Sequence, residues 1–347
     1  MIHDWVLYIA AFSTAFAISN VMTPVAKKLS LKLGAIDMPK KRGMHHKPMP
    51  RMGGIAIVVG FMATVILLYN FVDYSDVKKL IGFFIGALII VVLGMVDDVK
   101  NLPAKFKFIV QIIAALIPVI FGIRIHVVFW PMTYALLKLS IPITVIWIVG
   151  LTNAVNLIDG LDGLAAGVSS IAAICIMVLC ILTGDETAVV LTASLAGSCL
   201  GFLPRNFNPA EIFMGDTGAT FLGYTLAVTS ILGVFKGYAM IALMVSVLAI
   251  GFPIFDTLFA ITRRAAKHQP IMQADRGHLH HKLIDRGFSQ RQAVMILYGI
   301  SAVCGLVAIF IALKDAKTLV VVLFAVIVLS LLVFYVNHRI KSKDEQQ

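Results

Sequence analysis

The chain has 347 residues, 60% hydrophobic and only 14% charged, with a mean hydropathy of +0.95. A water-soluble domain of this size carries about 25% charged residues, so composition excludes that class and points to an integral membrane protein. The formal net charge of +11 fits basic loops gathered on one face of a bilayer, where each Lys or Arg near anionic lipid contributes about 1 kcal/mol; no nucleic acid is expected.

Apolar stretches of spanning length, roughly 17–25 residues, recur along the chain. They predict an all-α integral membrane protein with about eleven transmembrane helices, near 5–26, 52–70, 80–96, 106–123, 139–155, 163–183, 187–203, 212–231, 238–261, 292–313 and 317–337. With the N-terminus outside, the inner segments hold 22 of the 29 Lys and Arg residues, so the positive-inside rule places the C-terminus in the cytoplasm. Met1–Trp5 lacks a basic region, so no cleaved signal is expected. Cys175, Cys180, Cys199 and Cys304 fall inside apolar spans as buried thiols, spaced for neither zinc nor a disulfide. Residues 1–347 read as one polytopic domain without internal repeats.

Five polar clusters interrupt this pattern, near 44–54, 97–107, 153–163, 204–218 and 273–287, all on the inner face. In the first, Lys47 and Arg51 are candidate phosphate ligands, and Gly53-Gly54 permits a close backbone approach. In the second, Asp97 and Asp98 end an apolar run. Carboxylates are disfavoured at a helix C-terminus, where the dipole is already negative, so this pair points to function; Lys105 and Lys107 follow a Pro-marked turn toward the same place. In the third, Asn153, Asn156, Asp159 and Asp162 recur every three residues. That step turns a helical row by about −60°, so one helix cannot present all four. The span is expected to end near Gly160, leaving Asp162 either an N-cap of the next helix or a site residue. The fourth carries Asn206, Phe213 and Asp216, the last between glycines at a helix start, which suits a metal or a phosphodiester. The fifth carries Arg276, His278, His280 and His281 without the ligand set that zinc requires, and fits a diphosphate.

Inner-face acids with inner-face bases imply a hard cation and phosphates: metal-dependent transfer of a phosphorylated group onto a membrane lipid. The run Asn153-x-x-Asn156-x-x-Asp159-Gly-x-Asp162, with Asp97-Asp98, Phe213-Met-Gly-Asp216-Thr-Gly and His278-x-His280-His281, resembles the polyprenyl-phosphate N-acetylhexosamine-1-phosphate transferases over nearly the whole chain. Pro50-Arg51-x-Gly53-Gly54 and Asp275-Arg-Gly-His-Leu-His-His are closer to the TagO/WecA branch than to MraY, which typically carries three consecutive histidines. The resemblance implies Mg²⁺, or Mn²⁺ in its place. The implied reaction takes GlcNAc-1-phosphate from UDP-GlcNAc to undecaprenyl phosphate at the cytoplasmic face of a bacterial plasma membrane, the first membrane step of a cell-wall polymer such as teichoic acid. It also implies roles: Asp216 as metal ligand, Asp98 assisting the metal or diphosphate, and Asp97 as base on the lipid phosphate. Asp159 would be catalytic or metal-proximal, Asp162 and Phe213 would hold uracil, and Asn206 would contact nucleotide or metal. Arg276, His278, His280 and His281 would bind the sugar diphosphate and Lys105 a phosphate, with Asn153 and Asn156 counted among the substrate-binding residues. Membrane lipid is a further partner, and a homodimer is left open. The rival readings are an MraY-like donor, UDP-MurNAc-pentapeptide, and a secondary transporter using Asp97, Asp98 and Asp159 as coupling acids.

Overall fold

The computed structural model describes residues 2–39, 47–72, 76–125, 133–234, 247, 250–266 and 279–313. In chain order the helices are α1 (Ile2–Leu33), α2 (Gly54–Leu67), α3 (Val77–Lys100), α4 (Ala104–Ile120), α5 (Thr133–Ile158), α6 (Leu164–Thr183), α7 (Glu186–Asn206), α8 (Gly215–Val234), α9 (Gly251–Ala266), α10 (Leu279–Asp285) and α11 (Gln290–Ala312). Among the described residues the all-α expectation holds apart from one two-stranded antiparallel ladder. Ile36–Asp37 pairs with Met49–Pro50 in the register Ile36↔Pro50 and Asp37↔Met49, which pins the first polar cluster to the end of α1.

Six of these helices are long and apolar enough to cross a membrane: α1 from Asp4, α3, α5 from Leu139, α6, α7 and α11. This supports a multi-pass membrane protein. The fourteen residues of α2 and seventeen of α4 reach only about 21 and 26 Å at 1.5 Å per residue, short of a hydrocarbon core of about 30 Å. The expected span near 317–337, and the first part of that near 238–261, lie outside the described residues.

Local sequence sets the helix ends. Asp76 and Asp185 accept N–H groups of the first turns of α3 and α7, and Ser289 with Gln292 forms a capping box on α11. Gly184, at φ +72°, ends α6 and allows the tight turn into α7. Packing then sorts the helices by depth. The apolar windows of α6 and α7 are 72% and 78% buried, against 28% for α1 and α11, so the first pair forms the centre and the second lies at the periphery. The start of α8 meets both α2 and α3 at backbone distance. A Cβ on Gly54 would run into the Gly218 backbone nitrogen, and one on Gly94 would lie 2.5 Å from Thr217 Cα. The amides of Gly53 and Gly54 donate to the carbonyls of Phe213 and Met214 at 2.9 and 2.8 Å.

Gly54→Ala therefore forces α2 and α8 apart. The expected cost is about 1–3 kcal/mol, read as a lower unfolding midpoint in detergent; an unchanged midpoint would refute the close crossing.

Candidate active site

Asp97 and Asp98 lie in the last turn of α3 and are 6% and 2% exposed. Asp98 is spent on the start of α8. Its Oδ1 accepts the Asp216 amide at 2.9 Å, and its Oδ2 accepts the Thr217 amide at 3.1 Å and the Thr217 hydroxyl. A carboxylate satisfies orphan N–H groups there and suits the positive helix end. Gly215 has φ +73°, and a Cβ on it would strike the Arg51 carbonyl and the Asp98 carboxylate, so only glycine fits between them.

The unfavourable placement of two acids near a helix C-terminus is offset by Arg51. Its Nε donates to the Asp98 carbonyl at 2.8 Å, and its Nη2 to the Asp97 carbonyl at 3.3 Å and to Asn101 Oδ1 at 2.7 Å. A guanidinium capping the last carbonyls cancels the dipole that would repel the acids. Asp97 itself accepts the Leu102 amide through Oδ1 and the Lys107 ammonium through Oδ2, the latter at 2.7 Å. Lys107, in the first turns of α4, also reaches Asp216 Oδ2 at 2.7 Å. One ammonium thus bridges acids from α3 and α8.

Beside this bridge opens a cavity of about 700 Å³ whose wall includes Lys47, Arg51, Asp98, Asp159, Asp162, Asn206, Phe213, Asp216 and His281. These residues come from all five polar clusters. Asp159 follows the end of α5; burial, reinforced by Asp216, Asp98 and Asp162, pushes its carboxyl up to about 8. Asp162 is not an N-cap, because Gly163 at φ +79° takes that position. Instead its Oδ2 accepts the Asn208 side-chain amide and the Ala210 backbone amide, both at 3.0 Å. Asn206 ties the same loop to the start of α6: its Oδ1 accepts the Gly163 amide at 3.1 Å and its Nδ2 donates to the Ile212 carbonyl at 3.0 Å.

Other expected residues stand elsewhere. Asp97 is outside the wall, with Lys107 on its Oδ2. His280 is buried against Gly160, and its ring centroid lies 4.3 Å from that of His281. Asn153 donates to Gln111 Oε1 at 2.6 Å and to the Val149 carbonyl at 2.8 Å, tying α5 to α4. Asn156 is half-buried and, like Lys105, which is exposed, does not line the cavity. Arg276 and His278 lie outside the described residues. Lys107, turned about 200° from Lys105 on α4, is the lysine that reaches Asp97 and Asp216. Thr217, Asn208 and Gln290 were not singled out; the last two line the cavity, joined by a 2.7 Å bond. Only the Asp-Thr-Gly motif carried a hint of Thr217.

Five aspartates, with Asp37 the fifth, line the wall against two basic residues, Lys47 and Arg51. This excess of carboxylates fits a divalent cation. Among the described residues no three acid, His or Cys side chains converge as a complete ligand set, so an ion held by Asp216 needs phosphate oxygens and water to fill its shell. Cavity-facing cations beside it suit phosphate recognition. The acids gather at helix ends on one side of the bundle, not at mid-span as ion-coupling acids would.

Two substitutions test this geometry. Thr217→Val removes one donor from buried Asp98 and is expected to cost about 1–3 kcal/mol, with Thr217→Ser restoring the unfolding midpoint; no loss in the valine variant would contradict the cap. Asp159 binds a proton more tightly folded than unfolded, so it subtracts stability as pH rises from about 4 to about 8. In chelator-treated protein, Asp159→Asn is expected to flatten that decline; an unaltered slope would contradict the raised pKa.

The description Glycosyl transferase family 4 matches residues 80–234, which hold Asp97, Lys107, Asp159 and Asp216. A probable undecaprenyl-phosphate N-acetylglucosaminyl 1-phosphate transferase of Bacillus subtilis is 38% identical over 92% of this chain and 88% of its own length. A decaprenyl-phosphate N-acetylglucosaminephosphotransferase of Mycobacterium tuberculosis is 34% identical over 91% of this chain and 85% of its own. A phospho-N-acetylmuramoyl-pentapeptide-transferase of Staphylococcus saprophyticus is 29% identical over 89% and 99%. Sharing more than 30% identity with such relatives over nine-tenths of its length, the chain belongs to glycosyl transferase family 4 and is a phosphotransferase of the polyprenyl-phosphate N-acetylhexosamine-1-phosphate class.

Proposed function

We propose that the enzyme transfers GlcNAc-1-phosphate from UDP-GlcNAc to undecaprenyl phosphate, giving undecaprenyl-diphospho-GlcNAc and UMP. Mg²⁺ is the proposed cofactor and the cytoplasmic face the proposed location, with the N-terminus outside. The single observation that carries the reading is the Asp97–Lys107–Asp216 bridge beside a cavity lined by both acids and bases. The relatives named for N-acetylglucosamine-1-phosphate transfer support the choice of donor. The product would open the synthesis of a cell-wall polymer, teichoic acid being the one expected from the sequence.

In this reading a phosphate oxygen of the lipid attacks the sugar-bearing phosphorus of the donor. The bond to the bridging oxygen breaks, and UMP leaves with that oxygen and its electron pair. A phosphate monoester is largely ionised near neutral pH, so attack needs little help from a base. Asp97, whose two oxygens both hold donors, acts through Lys107 as a positioning residue rather than as that base. Asp98 fixes the start of α8 and with it Asp216. Asp216 is the residue that would hold the ion, and Lys107, Arg51, Lys47 and His281 offer positive charge or donors to the phosphates. A bound Mg²⁺ supplies charge neutralisation on the diphosphate and the leaving UMP. Phe213 and Asp162 both line the cavity, and in this reading they hold uracil.

Purified full-length enzyme is expected to release UMP from UDP-GlcNAc only with undecaprenyl phosphate present, to lose this with EDTA and to regain it with Mg²⁺. Asp216→Asn is expected to lower kcat at least about a hundredfold. Preference for UDP-GalNAc or UDP-MurNAc-pentapeptide would reassign the donor, and no release with any of the three would overturn the reading. A phospho-aspartate isolated after incubation with UDP-GlcNAc alone would replace direct attack by a covalent intermediate.

A further inference from the structure

Asp256 lies in α9, outside every polar cluster, and is only 8% exposed. A buried carboxylate is costly unless it is paired or hydrogen-bonded. Its Oδ1 accepts the backbone N–H of Leu279 at 2.8 Å. Leu279 is the first residue of α10 as described (Leu279–Asp285), and its N–H is met by a carboxylate from another helix.

The next two residues are His280 and His281. His280 is 1% exposed and sits so close to Gly160 that a Cβ there would lie 2.5 Å from its Nε2. His281 packs against the His280 ring and lines the cavity. The start of α10 is therefore held from two sides, by Asp256 on the backbone and by Gly160 on the first imidazole. Any shift of that start carries the second imidazole with it.

We propose that Asp256 is a positioning residue for the transfer reaction, anchoring the first residue of α10 so that the His281 imidazole is held at the cavity wall. The proposal rests on the phosphotransferase reading of the cavity. It assigns a task to an acid that lies outside the five clusters in sequence and does not line the cavity, but holds the fifth cluster through Leu279.

The test uses full-length enzyme in detergent with Asp256→Ala, Asp256→Asn, His281→Ala and the double variant Asp256→Ala/His281→Ala. Hydrogen–deuterium exchange without substrate reads the anchor, and UMP release reads the reaction. Asp256→Ala is expected to speed exchange of amides in 279–283 and to lower kcat/KM for UDP-GlcNAc, each about tenfold, as for one hydrogen bond to a charged acceptor. Asp256→Asn keeps an acceptor oxygen and is expected to restore most of both. The double variant is expected to be no slower than His281→Ala alone.

Unchanged exchange in Asp256→Ala, or losses that multiply in the double variant, would overturn the proposal. Should Asp256→Ala not fold, Asp256→Asn decides: loss of both protection and rate there would also overturn it. If the unsubstituted enzyme released no UMP, the proposed function would fall, while the exchange measurement would still judge the anchor.

Discussion

The arrangement depends on one ammonium group held between two carboxylates. Lys107, Asp97 and Asp216 come from three different helices, α4, α3 and α8, and meet at 2.7 Å on each side of the nitrogen. Moving such charges out of water is costly, and their attraction repays that cost only when the geometry is good and the remaining lone pairs are satisfied. Here the surroundings meet both conditions. The Leu102 amide takes the other oxygen of Asp97, and Arg51 neutralises the end of the helix that carries it. Asp98, next in sequence, fixes the helix start from which Asp216 projects.

Glycines make this convergence sterically feasible. Gly54, Gly94 and Gly215 stand where a side chain would strike a neighbouring backbone or carboxylate. The first polar cluster is thus a structural clamp as well as a cavity wall: its amides hold the residues before α8, and its arginine holds the end of α3. Structure and chemistry share residues, so loss of activity on substituting Arg51 or Asp98 would not by itself identify a group that touches substrate. Stability measured alongside activity separates the two roles.

Much of this was legible in the sequence, and the reasons for the rest are physical. Spans with strong hydropathy, such as 80–96 and 163–183, became α3 and α6 within a few residues. The row of polar residues after Asn153 correctly predicted a helix ending before Gly160. Its members then parted: Asp159 and Asp162 reached the cavity, and Asn153 turned to Gln111. Adjacent acids cannot be told apart by composition, because their roles follow from which neighbour each meets across the bundle. Asp98 met a helix start and Asp97 met a lysine. Asp256 and Thr217 escaped notice for the same reason, since their partners are distant in sequence and one is a backbone amide.

The family assignment accounts for the acids and bases together, but the physical claim beneath it concerns the bridge. A double-mutant cycle on Lys107→Met and Asp97→Asn, read as unfolding midpoint in substrate-free, chelator-treated protein, tests that claim most directly. The account predicts that the double variant is no less stable than the worse single one, with a coupling of about 1–3 kcal/mol. Losses that simply add, to within about 0.5 kcal/mol, would contradict it.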